Sequence, residues 1–199
     1  MLEKLPIIVF ATGNQHKASE VGKMLDGKFI VKSLVEIGCT EEIPETSTTL
    51  QGNAELKARY VKDNFGYDCF ADDTGLEVEA LGGDPGVTTA RYGGEEKDTG
   101  QNITHLLNEL EKTGSDNRKA QFRTAIHIIV DGHERKIEGV CKGSIGKKQS
   151  GIEGFGYDPV FIPEGEIRTF SEMSQIDKNK ISHRGLAIRE MLEYLSSLH

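Results

Sequence analysis

The stretch Ile7-Ile8-Val9-Phe10-Ala11-Thr12-Gly13-Asn14 decides the fold. Its first four residues are a continuous apolar run of branched and aromatic side chains, the pattern of a central strand covered on both faces. The run stops at Thr12-Gly13-Asn14, and beyond it Ala18, Val21, Met24 and Leu25 recur at helical spacing. A strand, a tight glycine turn and a helix starting near Asn14 or Gln15 therefore follow one another, the opening of an α/β chain. Such a turn aims backbone amides outward. With Thr12 and Asn14 as side-chain donors and Lys17 in the first helical turn, it suits a phosphate at the helix N-terminus. An Asn-capped helix with a surface lysine fits the same residues equally well.

Downstream, Phe29-Ile30-Val31 offers a second strand before the chain turns acidic through Glu41, Glu42 and Glu45. Most such charges face water; of the three, Glu45, just after Pro44, is the candidate to reach a metal. Thr48 and Gln51 stand at capping-box spacing, and good helix formers follow, so a helix is expected over residues 49 to 64 with Lys57 and Arg59 on it. Residues 67–71 then lead into Phe70-Ala71-Asp72-Asp73-Thr74-Gly75-Leu76, where an apolar run meets two adjacent carboxylates. Neighbouring negative charges beside a strand cost stability unless a cation or proton offsets them. Magnesium, which takes one or two carboxylates together with substrate phosphates, is one resolution. A tight turn at Asp-Thr-Gly is the other, and on this stretch alone it is favoured.

Leu76, Val78 and Ala80 alternate with Glu77 and Glu79, as in a half-exposed strand. The glycine-rich connection over residues 81–94 is either a mobile loop or part of a site. Ile103, Leu106, Leu107 and Leu110 mark an amphipathic helix that Asp98 or Thr99 can cap. Residues 120–130 and 135–141 read as strands joined at Asp131-Gly132. His127 and His133, beside that hairpin, have no second ligand at metal spacing and are assigned structural or solvent-facing roles. Residues 143–148 lack the spacing of a nucleotide-binding phosphate loop. In Gly154-Phe155-Gly156-Tyr157-Asp158-Pro159, flanking glycines allow an aromatic face to meet a flat ligand, with Asp158 accepting a hydrogen bond from its edge. A glycine turn before an edge strand at Val160-Phe161-Ile162 is the plainer alternative. Near the end, Lys178, Lys180 and Ser182-His183-Arg184 precede a helix marked by Ile188, Met191, Leu192 and Leu195. Cations at a helix start oppose its dipole, a local conflict that points to function. Ser182 suits a cap.

The 199 residues, 36% hydrophobic, suffice for one core or two closely joined lobes. A net charge of −8 without a long basic run opposes binding to a nucleic-acid backbone and leaves room for a small phosphorylated ligand. Cys39, Cys69 and Cys141 form no Cys-x-x-Cys pair, so reduced thiols are expected. Residues 1–10 are too short an apolar stretch for a signal peptide, and no later run is long enough to span a membrane, so the expected location is cytoplasmic. Without repeat or linker, residues 1–199 read as a single α/β domain with a mixed sheet.

Taken together, Thr-Gly-Asn-x-x-Lys, Ala-Asp-Asp-Thr-Gly-Leu, Leu-Gly-Gly-x-Pro-Gly, Ala-Arg-Tyr, Gly-Phe-Gly-Tyr-Asp-Pro and Ser-His-Arg span nearly the whole chain, and in that order the chain resembles the inosine triphosphate pyrophosphatase family. The resemblance implies an elongated mixed β-sheet with flanking helices, two lobes around a central cleft. It also implies a magnesium-dependent homodimer that cleaves ITP, dITP and XTP between the α- and β-phosphates. By matching motif, Thr12, Gly13, Asn14 and Lys17 would hold the triphosphate, with Lys57 as a second positive contact. Asp73 would be the catalytic carboxylate, Thr74 would lie beside it at the substrate, and Glu45 would join Asp73 on the metal. Phe155, Gly156, Tyr157 and Asp158 would form the base pocket, completed by Lys178, His183 and Arg184. The rivals are a Maf-type house-cleaning pyrophosphatase with another base preference, and a purine nucleotide sensor without turnover. A haloacid-dehalogenase-like phosphatase needs Asp-x-Asp, which adjacent Asp72 and Asp73 do not supply.

Overall fold

The computed structural model describes residues 5–198, so residues 1–4 of the expected non-signal start lie outside it, as does His199. Strand β1 (Ile7–Phe10) runs into helix α1 (Gln15–Leu25), whose N-cap is Asn14; its side chain accepts from the Lys17 backbone N–H. Strand β2 (Ile30–Lys32) pairs with β1 in parallel, Ile7 opposite Ile30. Helix α2 (Leu50–Phe65) is capped by Thr49, which accepts from the Gly52 N–H, one residue later than the Thr48 capping-box reading.

Strand β3 (Cys69–Val78) corrects the sequence reading. Asp72 to Gly75 form no turn; the strand continues through them. Long-range pairing outweighs local turn preference here: Phe10 stands opposite Phe70 in parallel with β1, and Leu76 opposite Gly86 antiparallel with β4 (Pro85–Gly86). The Phe10 and Phe70 rings stack at 4.6 Å. The glycine-rich connection is ordered by β4 and by two short 3-10 turns, Glu79–Leu81 and Thr89–Arg91.

Helix α3 (Thr99–Lys112) takes Asp98 as its cap, and β5 (Lys119–Val130) and β6 (His133–Ile145) are joined at Asp131-Gly132. Both turn residues have positive φ, 49° and 76°, as a two-residue hairpin of primed type requires. Gly143 and Ile145 of β6 pair with β7 (Phe161–Pro163), so the first half of the 143–148 stretch is the end of a strand. Two helices, α4 (Gln175–Ile181) and α5 (His183–Ser196), stand where the sequence suggested one. The strand order is β2-β1-β3-β5-β6-β7 with β4 beside β3, a mixed sheet with flanking helices, as expected.

Among the described residues the chain divides into two compact units: residues 5–73, 125–137 and 190–198, and residues 74–124 and 138–189. The first buries Val9, Ala11, Ala58, Val61, Cys69, Ala71 and Ile129 together. The second has an aromatic core in which Phe122 lies 4.7 Å from Phe161 and stacks on His183 at 4.6 Å. All three cysteines are free and buried. His127 is buried with Nε2 3.2 Å from Glu134, while His133 is exposed. Among the described residues no helix is long and apolar enough to cross a membrane.

Candidate active site

In the first unit, the end of β1 delivers Thr12, Gly13 and Asn14. The Thr12 hydroxyl accepts from the Asn14 N–H at 3.2 Å, which holds the turn in shape. The capping role read for Asn14 is borne out. Lys17 departs from the surface reading: it is half-buried and its Nζ donates to Asp72 Oδ1 at 3.0 Å. Successive side chains of a strand point to opposite faces, so the two carboxylates of β3 diverge. Asp72 meets Lys17, and Asp73 accepts from Asn53 Nδ2 at 3.1 Å. Divergence and separate partners remove much of the repulsion that adjacent charges would otherwise suffer.

Helix α1 supplies Lys17 and helix α2 supplies Asn53, which shares one face of its helix with Lys57, four residues on. Lys57 is buried and gives two of its three donors to protein groups, Glu45 Oε1 at 2.5 Å and the Asp72 carbonyl at 2.7 Å. Burial pushes the Asp73 carboxyl above its ordinary value; Lys57 and Lys17 oppose the rise, Glu45 adds to it, and the Asn53 hydrogen bond opposes it. Three carboxylates therefore share their surroundings with two ammonium groups, a surplus of negative charge. No group of three or more His, Cys, Asp and Glu side chains that would hold a metal occurs among the described residues. The pair Glu45 and Asp73 nonetheless fits magnesium, a hard cation that takes one or two protein carboxylates and fills its remaining positions with water and phosphate oxygens.

In the second unit, Gly154 to Val160 form turns leading to β7. Asp158 is buried, and its Oδ2 accepts from the Phe155 N–H at 2.8 Å and from Lys178 Nζ at 2.7 Å. The carboxylate expected to meet a ligand edge thus also fixes the turn and holds a buried lysine. Lys178 Nζ stands 5.0 Å from the Phe155 ring centroid, and the Arg184 guanidinium 5.5 Å from the same ring. Tyr157 lies in the core with its hydroxyl donating to the Thr89 carbonyl at 3.0 Å. Gly156 is half-buried beside it. Arg184 is buried and donates from a terminal nitrogen to the Thr74 hydroxyl at 3.2 Å; that hydroxyl is 2.7 Å from Thr124.

The dipole conflict read at the C-terminal helix is halved, because Lys178 and Lys180 occupy the last turn of α4, where cations are favoured. His183 and Arg184 remain in the first turn of α5. Ser182 caps that helix by accepting the Gly185 N–H.

Sequence reasoning missed Asn53, Asp72 as the partner of Lys17, and Thr124. Asp72 carried a signal, the unexplained second carboxylate. Asn53 and Thr124 carried none, since each is defined by a residue on a distant element.

Gly154 has φ +80°, and a Cβ there would stand 2.2 Å from Asp158 Oδ2. Gly154→Ala is therefore expected to strain the backbone and displace a buried ion pair, costing about 2–4 kcal/mol. For a chain of this size the melting midpoint should fall by roughly 4–16 °C, readable by thermal circular dichroism. A midpoint within a degree of wild type would mean that the turn yields without loss.

A model of the Ham1 family matches residues 8–194. The dITP/XTP pyrophosphatase of Porphyromonas gingivalis is 50% identical over 194 residues, covering 98% of each chain. That of Christiangramia forsetii is 48% identical over 189 residues, covering 95% of this chain and 98% of the other. Among solved structures, the Ham1 protein of Staphylococcus aureus is similar with a TM-score of 0.88 and 34% identity, covering 97% of this chain and all of that one.

Proposed function

The chain belongs to the Ham1 family, and from that premise we propose that it is a cytoplasmic hydrolase of non-standard purine nucleoside triphosphates. It cleaves ITP, dITP and XTP between the α- and β-phosphates, releasing a nucleoside monophosphate and pyrophosphate. The observation that carries the reading is the buried Asp73 carboxylate, raised in pKa by burial and flanked by Glu45, Lys17 and Lys57. The relatives' name, dITP/XTP pyrophosphatase, supports the substrate class.

Glu45 and Asp73 would hold magnesium, which when bound neutralises phosphate charge and lowers the pKa of water. The Thr12-Gly13-Asn14 turn, at the N-terminus of α1, presents amide donors and a positive dipole end to phosphate oxygens. Lys17 and Lys57 add the positive charge that draws a triphosphate to an acidic protein. Asp73, an ionised carboxylate made more basic by burial, takes the proton of the attacking water, and pyrophosphate departs as that water's oxygen bonds to the α-phosphorus. Phe155 offers its ring to the base, and Thr74, Lys178, His183 and Arg184 supply the polar contacts of the base pocket. A homodimer is part of the same proposal.

Product analysis tests it. Purified protein is incubated separately with ITP, XTP, GTP, ATP and TTP, with and without magnesium. Monophosphate and pyrophosphate, formed mainly from ITP and XTP and only with metal, are expected. Orthophosphate release, or equal hydrolysis of all five, overturns the assigned chemistry; tight ITP binding without turnover would favour a sensor.

A further inference from the structure

We propose that Asn53 is a positioning residue that fixes the separation of Glu45 and Asp73. The inference rests on the hydrolase reading above and deepens it. Asn53 is 2% exposed and uses both ends of its amide. Oδ1 accepts from the Ser47 backbone N–H at 2.9 Å, and Nδ2 donates to Asp73 Oδ2 at 3.1 Å. Ser47 lies two residues beyond Glu45, so one amide ties the loop carrying the first carboxylate to the second carboxylate itself. The position needs an acceptor and a donor on one planar group: aspartate lacks the donor, and leucine lacks both.

The loop is seated for this contact by close packing on the first turn of α2. A Cβ at Gly52 would stand 2.0 Å from Ser47 Oγ, and the same hydroxyl accepts from the Thr49 N–H at 3.2 Å. Thr49 in turn caps the Gly52 N–H at 3.0 Å. On the next turn of the helix, Lys57 grips Glu45 directly. The helix thus holds the loop at two points and β3 at two, through Asn53 on Asp73 and Lys57 on the Asp72 carbonyl. A hydrogen bond to a metal-binding carboxylate orients it, and losing such a partner commonly costs 10–100-fold in metal affinity or activity.

The test uses Mn2+ as probe, bound to the protein without nucleotide and followed by electron paramagnetic resonance, alongside the magnesium dependence of ITP turnover. In Asn53→Ala, the Mn2+ dissociation constant and the magnesium half-saturation are each expected to rise about tenfold, with kcat reduced and the KM for ITP changed less than about threefold. Gly52→Ala leaves the Asn53 amide in place and displaces the Ser47 loop, so it should move the same two metal readouts. Because both act on one clamp, the double variant should be little worse than the worse single one. A folded Asn53→Ala protein with a lower melting midpoint and unchanged metal readouts would reduce Asn53 to a structural role and overturn the proposal. If Asn53→Ala does not fold, unchanged metal readouts in Gly52→Ala overturn it. Wild-type protein that fails to hydrolyse ITP instead removes the hydrolase reading, a separate outcome.

Discussion

Asp73→Asn lowers kcat for ITP by about 100- to 10,000-fold, the range expected for losing a proton acceptor at the reacting centre, while ITP binding stays measurable. The substitution keeps the shape of the side chain and an oxygen to receive Asn53 Nδ2, so the 3.1 Å contact survives. What disappears is the charge and the site that takes a proton. The same change should leave the fold as stable as before, or more so. Burial raises the Asp73 pKa despite the opposition of Lys57 and Lys17. A carboxyl whose folded pKa lies above its unfolded value destabilises the fold wherever it is ionised, that is, at neutral pH. Asparagine removes that cost, a trade between stability and activity often found at active sites. Pyrophosphate release, calorimetric ITP binding and a thermal melt check the three parts. Wild-type kcat would take Asp73 out of the mechanism; a melting midpoint many degrees lower would mean that the two lysines need its charge more than burial opposes it.

Features governed by neighbouring residues were legible in the sequence. The apolar run of β1, the Asn14 cap and the Asp131-Gly132 hairpin each depend on side chains within a few positions and stand as read, and of the two caps offered for α3 the structure takes Asp98. Asp72-Asp73-Thr74-Gly75 failed for the opposite reason. Its local chemistry favours a turn, but the partners that keep β3 straight are Phe10 and Gly86, and those that accommodate its charges are Lys17, Asn53 and Lys57. Helix α4 escaped notice because seven residues give too little periodicity to separate from the helix that follows. The roles within the site divide the same way. Asp158 was readable as a polar residue beside an aromatic turn, yet its hold on Lys178 reaches across twenty residues of chain. Residue types raised the expectation of a phosphate and metal chemistry; which carboxylate meets Lys17 and which meets Asn53 depended on tertiary contacts.

Arg184→Ala should lower the ratio of kcat/KM for ITP over ATP by about 10- to 100-fold, the scale of losing one or two hydrogen bonds made by a charged donor. Arginine carries five N–H donors and no acceptor. One terminal nitrogen goes to the Thr74 hydroxyl, and the guanidinium lies beside the Phe155 ring. A purine lying against that ring with a keto oxygen at position six meets donors with an acceptor. Adenine brings an amino group there, donor against donor, and a buried donor left unmet is costly. Removing the guanidinium therefore hurts ITP more than ATP. It also removes one of the largest fully buried side chains, so the variant is expected to melt earlier. The ratio is chosen for that reason: both substrates are measured on one preparation, and any unfolded fraction cancels. Arg184→Lys, which keeps charge without the planar fork, should recover stability more than selectivity. An unchanged ITP-to-ATP ratio in Arg184→Ala would move base recognition to another donor, with Lys178 the next to substitute.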